Sequence, residues 1–418
     1  MDSGWGKSLR DAWAAFWPSR LVVFGVAIWV TVADITPNAG PDYPRLSHPF
    51  SGWPGSGLLD IVFSPLAKWD ALHYLAIAFG GYSGAAPTLP PAEVRPAFFP
   101  LFPGLVRVFS GFGASPGLVL IMAYVISLAA FLVALTLMHR LAVIEIGERY
   151  ARTALMLFAF FPAAFFFGLP YTESLFLLLA VAVFLAAREG RWALVGISLA
   201  LASATRVPGL LLVIPAALLY LYGPRADRDP VEAGGLRPRY RVRPDAAWLL
   251  LAPVGIIAFS VYLHFALGNA LAWQDAQQYF GRHTFDPATG AWNGIRAAGE
   301  SVGTVLEGGY DQQPIYYHLN VAQLFVIAFA LVGGIAMLRT LPVAYGSWVL
   351  VSLMPLFVSQ PPYDPFVSSL RYIAVLFPLF FWLADLCERH GKTLTVVAMS
   401  AAAMAVLTAE FALWSFVA

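Results

Sequence analysis

From about residue 117 to its end, the chain is largely a succession of apolar runs close to the length that crosses a bilayer, ended by polar or proline-bearing breaks. A spanning helix takes about 20 apolar residues, fewer where neighbouring helices cover its ends. Eleven spans are expected, at about 20–35, 117–138, 152–168, 172–187, 192–206, 208–222, 247–267, 319–338, 342–358, 371–387 and 393–416. Charge agrees, because 12% of the residues are charged against about 25% in soluble domains. The ambiguous break is Thr205-Arg206-Val207-Pro208, where proline either separates two helices or kinks a single one. A single helix there would leave ten spans and reverse the sidedness of everything downstream.

Sidedness follows from the basic residues, which gather in cytoplasmic segments. With the N-terminus inside, inner segments hold most of the 25 lysines and arginines, including Lys7, Arg10 and Arg20 around the first apolar run. That run is read as a first span, not a cleaved signal. The stretch 223–245 carries Arg225, Arg228, Arg237, Arg239, Arg241 and Arg243 and fits the cytoplasm. The expected architecture is one all-α polytopic domain over 1–418, with the C-terminus outside and long outer segments at about 36–116 and 268–318. Within the first, Leu58–Phe63 and Ala71–Phe79 are too short to span and are expected to lie in the membrane interface. The second holds Trp273, Tyr279, Trp292, Tyr310, Tyr316 and Tyr317, either an interfacial belt or a sugar-stacking surface. No internal repeat of the inverted-repeat transporter kind is present.

Several function classes drop out. A net charge of +1 argues against a nucleic-acid partner, and the lone Cys387, read as a packing residue, excludes an internal disulfide or a cysteine-built metal site. There is no G-x-x-x-x-G-K-[ST] loop, no G-x-G-x-x-G after a strand, no H-E-x-x-H, and no room for a cytosolic nucleotide-sugar domain.

What remains is a set of ionisable residues in or beside outer segments: Lys68, Asp70, His73, Arg107, Glu173, Arg206, His318 and Arg371. Such groups near a bilayer are costly and default to function. In Lys68-Trp69-Asp70-Ala71-Leu72-His73-Tyr74 a helix would put Asp70, His73 and Tyr74 on one face. The apolar setting is expected to raise the Asp70 pKa toward a general base's range. The plainer alternative has Trp69 anchoring an interfacial helix and Asp70 pairing with Lys68 in solvent. Arg107 could equally snorkel to the interface. Arg206 could cap a helix C-terminus, Glu173 could cap a helix N-terminus, and His318 could be an interfacial histidine. Arg371 begins an apolar run, where the helix dipole disfavours a cation. A bound anion would compensate it, and an ion pair with Asp364 is the competing account.

The chemistry that fits is attack on a lipid-linked phosphate sugar. It needs cations for the leaving phosphate and one carboxylate to take the acceptor hydroxyl's proton. A divalent metal is optional, because arginines can neutralise a phosphate, and no other cofactor is required.

Lys68 to Tyr74 with Ile77-Ala78-Phe79-Gly80-Gly81-Tyr82, then Ala97-Phe98-Phe99-Pro100-Leu101-Phe102-Pro103, resemble the GPI mannosyltransferase II (PIG-V-like) family and its bacterial relatives. So do Phe161-Pro162 through Tyr171-Thr172-Glu173-Ser174, Thr205-Arg206-Val207-Pro208-Gly209, and Arg371-Tyr372 with Phe377-Pro378, in the family's order. The resemblance implies a GT-C fold, transfer of mannose from a polyprenyl-phosphate carrier with inversion, and Asp70 as the catalytic carboxylate. Relatives commonly have a polar residue and Asn where this chain has Val207-Pro208, so acceptor contacts there are not carried over.

The expected activity is therefore an inverting transfer of a sugar, mannose, from polyprenyl phosphate to a glycolipid or glycan acceptor hydroxyl on the extracytoplasmic side of a bacterial plasma membrane. Asp70 is the expected base, and His73 positions it or the acceptor. Lys68, Arg206, Arg371 and Tyr372 are the candidates for the donor phosphate, with Trp69, Arg107, Glu173 and His318 as further substrate contacts. Asp42, Asp60 and Glu93 are the reserve carboxylates. The rival class is a transporter or flippase of a lipid-linked sugar.

Overall fold

The computed structural model of the protein describes residues 4–33, 35, 48–84, 91–230, 237–308, 316–362, 364–415 and 417, with side chains described except at 316–319. Asp42, the 36–47 part of the first outer segment, 231–236 of the arginine-rich loop and the His318 side chain lie outside the described residues. The described chain is helices joined by turns, apart from strands β1 (His283–Thr284) and β2 (Ser359–Gln360), which pair antiparallel.

Helices occupy every interval expected to span. Among the described residues four are long and apolar enough to cross a membrane unaided: Gly4–Val32, Pro116–Ile146, Asn320–Thr340 and Thr393–Ala412. Two bent pairs, Glu148–Ala159 with Pro162–Gly168 and Pro244–Leu251 with Val254–Leu267, add up to two more. These make the chain an integral membrane protein. The other intervals hold shorter helices such as Glu173–Arg188, which is buried almost all round. A helix apolar on every side belongs at a bundle's centre.

The breaks in these helices position the site. At Phe161-Pro162 the chain bends by 81°, because proline cannot continue the preceding hydrogen-bond ladder. Arg20 ties down the 3₁₀ segment that follows the bend: it is buried, with Nη2 donating to the Ala164 carbonyl at 3.0 Å and Nη1 to that of Phe165 at 3.4 Å. Arg20 therefore serves the core and does not belong with the inner-loop charges where the sequence reading put it.

At Thr205-Arg206-Val207-Pro208 the helix is interrupted, with Trp192–Ser203 on one side and a 3₁₀-to-α segment over 207–222 on the other. Arg206 is extended, at φ −160°. The second segment returns so closely that a Cβ on Gly209 would lie 2.1 Å from the Ala202 carbonyl oxygen, which explains glycine at the end of this motif.

In the first outer segment the helix Asp70–Gly80 is covered by protein, with every residue from Ala71 to Ala78 buried. Its apolar run covers more than one face, which suits a helix packed within the fold better than one floating half in lipid.

Candidate functional site

Two strained residues deliver the site's central pair. Trp69 has φ +55° and ψ −122° and leads directly into the helix Asp70–Gly80, whose first residue is Asp70. Ser368 has φ +68° and leads into the helix Ser369–Ala374, which carries Arg371. Bulky residues rarely hold positive φ, and such strain persists where surroundings over-determine it, often at functional sites. Arg371 Nη1 donates to Asp70 Oδ2 across 301 positions of sequence.

The run Tyr171-Thr172-Glu173-Ser174 fastens the surroundings. The Tyr171 hydroxyl donates to the Lys68 carbonyl at 2.9 Å, just before the strained Trp69. The Thr172 hydroxyl meets the Tyr74 hydroxyl at 3.2 Å, and Ser174 donates to the Phe167 carbonyl at 2.7 Å. Glu173 is buried between two guanidiniums: Arg206 Nη1 donates to its Oε1 at 2.6 Å, and Arg371 Nε lies 3.4 Å from the same oxygen. Arg206 also stacks over the Tyr372 ring at 4.9 Å. Asp70, Arg371, Glu173 and Arg206 thus form an alternating chain of charge with no net excess. Glu173 and Arg206 have each other as partners, in place of the helix-capping roles that were their alternatives. Arg371 pairs with Asp70 and Glu173, not with Asp364.

Asp70 faces a cavity of about 780 Å³ whose walls include Trp69, Tyr74, Arg206, Arg371 and Tyr372. Burial by itself would raise the Asp70 pKa, but the charge and hydrogen bond of Arg371, with the charge of Arg206 behind it, outweigh it and hold the carboxyl below its ordinary value. The expectation of a raised pKa is overturned, because it reckoned with the apolar neighbours in sequence and not with an arginine 301 residues away.

His73 packs behind the cavity wall, stacked on Phe98 with ring centroids 4.3 Å apart. Burial drives its pKa down to about 4 against the pull of Asp70, so it is neutral at physiological pH. Lys68 is buried too, with its amine donating to the Ala412 carbonyl and lying 4.7 Å from the Trp414 ring centroid, not against Asp70. Lys68, His73, Glu173 and Arg107 are not among the residues lining the cavity. Arg107 lies over the exposed ring of Phe112 at 5.0 Å, as a snorkelling arginine would.

From the second outer segment the cavity takes Trp273, one of the aromatics noted there, and four residues that sequence reasoning did not single out, Gln274, Gln277, Gln278 and Arg282. Trp273 Nε1 donates to Ser260 at 3.0 Å, which turns this aromatic into a wall of the cavity. Arg282 was legible as a basic residue in an outer segment, where the charge rule leaves few. Among the described residues, no group of three His, Cys, Asp or Glu is placed to hold a metal ion.

Comparison with known proteins bears on this geometry. Residues 50–218 match the mannosyltransferase (PIG-V) family, so the resemblance expected from the sequence holds over the part that contains Asp70, Glu173 and Arg206. Over 221 residues the chain is 27% identical to the GPI alpha-1,6-mannosyltransferase 2 of Cricetulus griseus, covering 50% of this chain and 43% of that protein. Over 161 residues it is 30% identical to the Mus musculus protein of the same name, covering 37% and 31%. The matches thus span less than half the length of these relatives. Among solved structures, the apo oligosaccharyltransferase of Archaeoglobus fulgidus is similar with a TM-score of 0.42 at 13% identity, over 95% of this chain and 56% of that one. The same enzyme tethered to an acceptor peptide gives 0.44 at 14%, over 94% and 55%.

Proposed function

From the premise that residues 50–218 carry the sequence of the mannosyltransferase (PIG-V) family, we propose that the protein is an inverting GT-C-type glycosyltransferase. It takes a sugar, mannose, from a polyprenyl-phosphate carrier and passes it to a lipid-linked or cell-envelope hydroxyl on the extracytoplasmic face. The observation that carries this reading is Asp70, a carboxylate held ionised at the wall of a cavity that arginines also line.

The acceptor oxygen attacks the anomeric carbon as the bond from that carbon to the phosphate oxygen breaks on the opposite side, which inverts the centre. The bonding pair leaves with the phosphate, turning a diester monoanion into a monoester dianion. Cations preorganised in the wall stabilise the charge that develops. Asp70 takes the acceptor's proton. Its lowered pKa is compatible with that task, because a hydroxyl oxygen bonding to carbon becomes strongly acidic and gives up its proton late, even to a weak base. Arg371 keeps the carboxylate ionised and aimed. His73, being neutral and stacked, fixes the helix that carries Asp70.

Purified protein in detergent, given radiolabelled polyprenyl-phosphate mannose and membrane lipids, should form a labelled glycolipid with no sealed vesicle present. Movement of the donor across vesicles without transfer in detergent would instead make the protein a transporter.

A further inference from the structure

The three arginines that line the cavity, Arg206, Arg282 and Arg371, are not equivalent. Arg206 and Arg371 are each about nine-tenths buried and already paired with Glu173 and Asp70. Each already neutralises a carboxylate, so a phosphate at either would share a guanidinium whose charge is matched.

Arg282 has a different setting. It is partly exposed and, among the described residues, belongs to no ion pair. It immediately precedes β1, and its Nη1 donates to the Ser359 carbonyl at 3.0 Å, so the β1–β2 clasp holds the guanidinium in place. That bond uses one nitrogen of a group with five N–H donors. Asp364 feels its charge but is buried and resists ionisation, with a pKa pushed up to about 7. The charge of Arg282 also reaches Tyr372, the ring beneath Arg206, so it stands beside the same part of the cavity.

We infer that Arg282, fixed by the β1–β2 clasp and engaged in no ion pair among the described residues, is the group that binds the donor's phosphate, while Arg206 and Arg371 organise the carboxylates. The inference rests on the reading of the donor as a polyprenyl-phosphate sugar. It assigns each arginine a part: Arg282 meets the negative charge that appears on the departing phosphate, and Arg371 serves the base.

The test is equilibrium binding of polyprenyl phosphate and of the uncharged polyprenol of the same length to the full chain in detergent. The wild type should bind the phosphate more tightly than the alcohol. A charge-assisted hydrogen bond contributes about 1.5–3 kcal/mol, so Arg282→Gln should lose about 10- to 100-fold in phosphate affinity and nothing in alcohol affinity. Arg282→Lys, which keeps the charge, should recover most of that loss. A mutant in which Gln and Lys are equally weak would mean that Arg282 only latches the clasp, and this overturns the inference. Full preference for the phosphate in Arg282→Gln overturns it as well and leaves the donor reading intact. A wild type that does not distinguish phosphate from alcohol overturns both.

Discussion

At the scale of single residues, the site turns on how Asp70 is held. Asp70→Asn keeps shape and removes the proton acceptor, so turnover should fall by about 10²- to 10⁴-fold with donor binding retained. Near-normal turnover would take Asp70 out of the mechanism. The pH profile gives a second reading. The base works ionised and its carboxyl is held below the ordinary value by Arg371. The rate should therefore persist as pH falls through the ordinary carboxylate range near about 4. In Arg371→Lys the rate should begin to fall at higher pH, because one point charge replaces a two-contact guanidinium. An unmoved acid limb would show that Arg371 does not tune the base. Asp364 makes the opposite case for stability. Burial raises its pKa to about 7 against the opposing pull of the Gln323 side chain and the charge of Arg282. The folded state therefore holds a proton that the unfolded state releases between about pH 4 and 7. Stability attributable to this residue falls as pH rises across that window, by at most about 1.4 kcal/mol per unit. The melting temperature of Asp364→Asn should drop less than that of the wild type between pH 5 and 7.5, and equal slopes would refute the linkage.

At the scale of elements, the motifs were legible as residues and not as partners. The sequence singled out Lys68 to Tyr74, the Tyr171 to Ser174 run, Arg206 and Arg371 because polar groups in an apolar chain stand out. It did not show that Glu173 bridges Arg206 and Arg371, since that pairing joins segments up to about 200 residues apart. Nor did it show that Lys68 turns to the Ala412 carbonyl and away from the cavity. Burial of the helix Asp70–Gly80 was illegible for a related reason: an apolar run reads alike whether lipid or protein covers it. Helix breaks show the same limit. Pro162 announced a break, but the side chain that anchors the segment beyond it, Arg20, came from the first helix. Arg20→Leu should lower the melting temperature, since each hydrogen bond from a charged group contributes about 1.5–3 kcal/mol. It should leave donor affinity unchanged in protein that remains folded, and a selective loss of affinity would place Arg20 at the site. On the other side of the cavity, a Cβ on Gly290 would lie 1.8 Å from the Phe357 carbonyl oxygen. The helix Pro287–Leu306 thus packs against the segment that leads into β2.

For the whole molecule, the site constrains the membrane topology. Asp70, Glu173, Arg206 and Arg371 meet at one place, so the chain between any two of them crosses the membrane an even number of times. The eleven-span reading meets this condition: two spans separate residues 70 and 173, two separate 173 and 206, and four separate 206 and 371. In that reading it is the break at Arg206 that preserves the parity, since one straight-through helix there would leave Arg206 within a span. Parity alone does not say which side is outside, and the arginine-rich stretch supplies that direction. A Cys387→Ser background provides the means to test it. Single cysteines at Ser83 and Glu300, both exposed in outer segments, should react with an impermeant thiol reagent added to intact cells. One at Pro238, exposed beside Arg237 and Arg239, should react only after lysis. Labelling at 238 in intact cells would turn the assignment over and move the base, the cavity and Arg282 to the cytoplasmic face together. Labelling at 83 but not at 300 would break the parity between the first and second outer segments. Arg282 could then no longer share a cavity with Asp70.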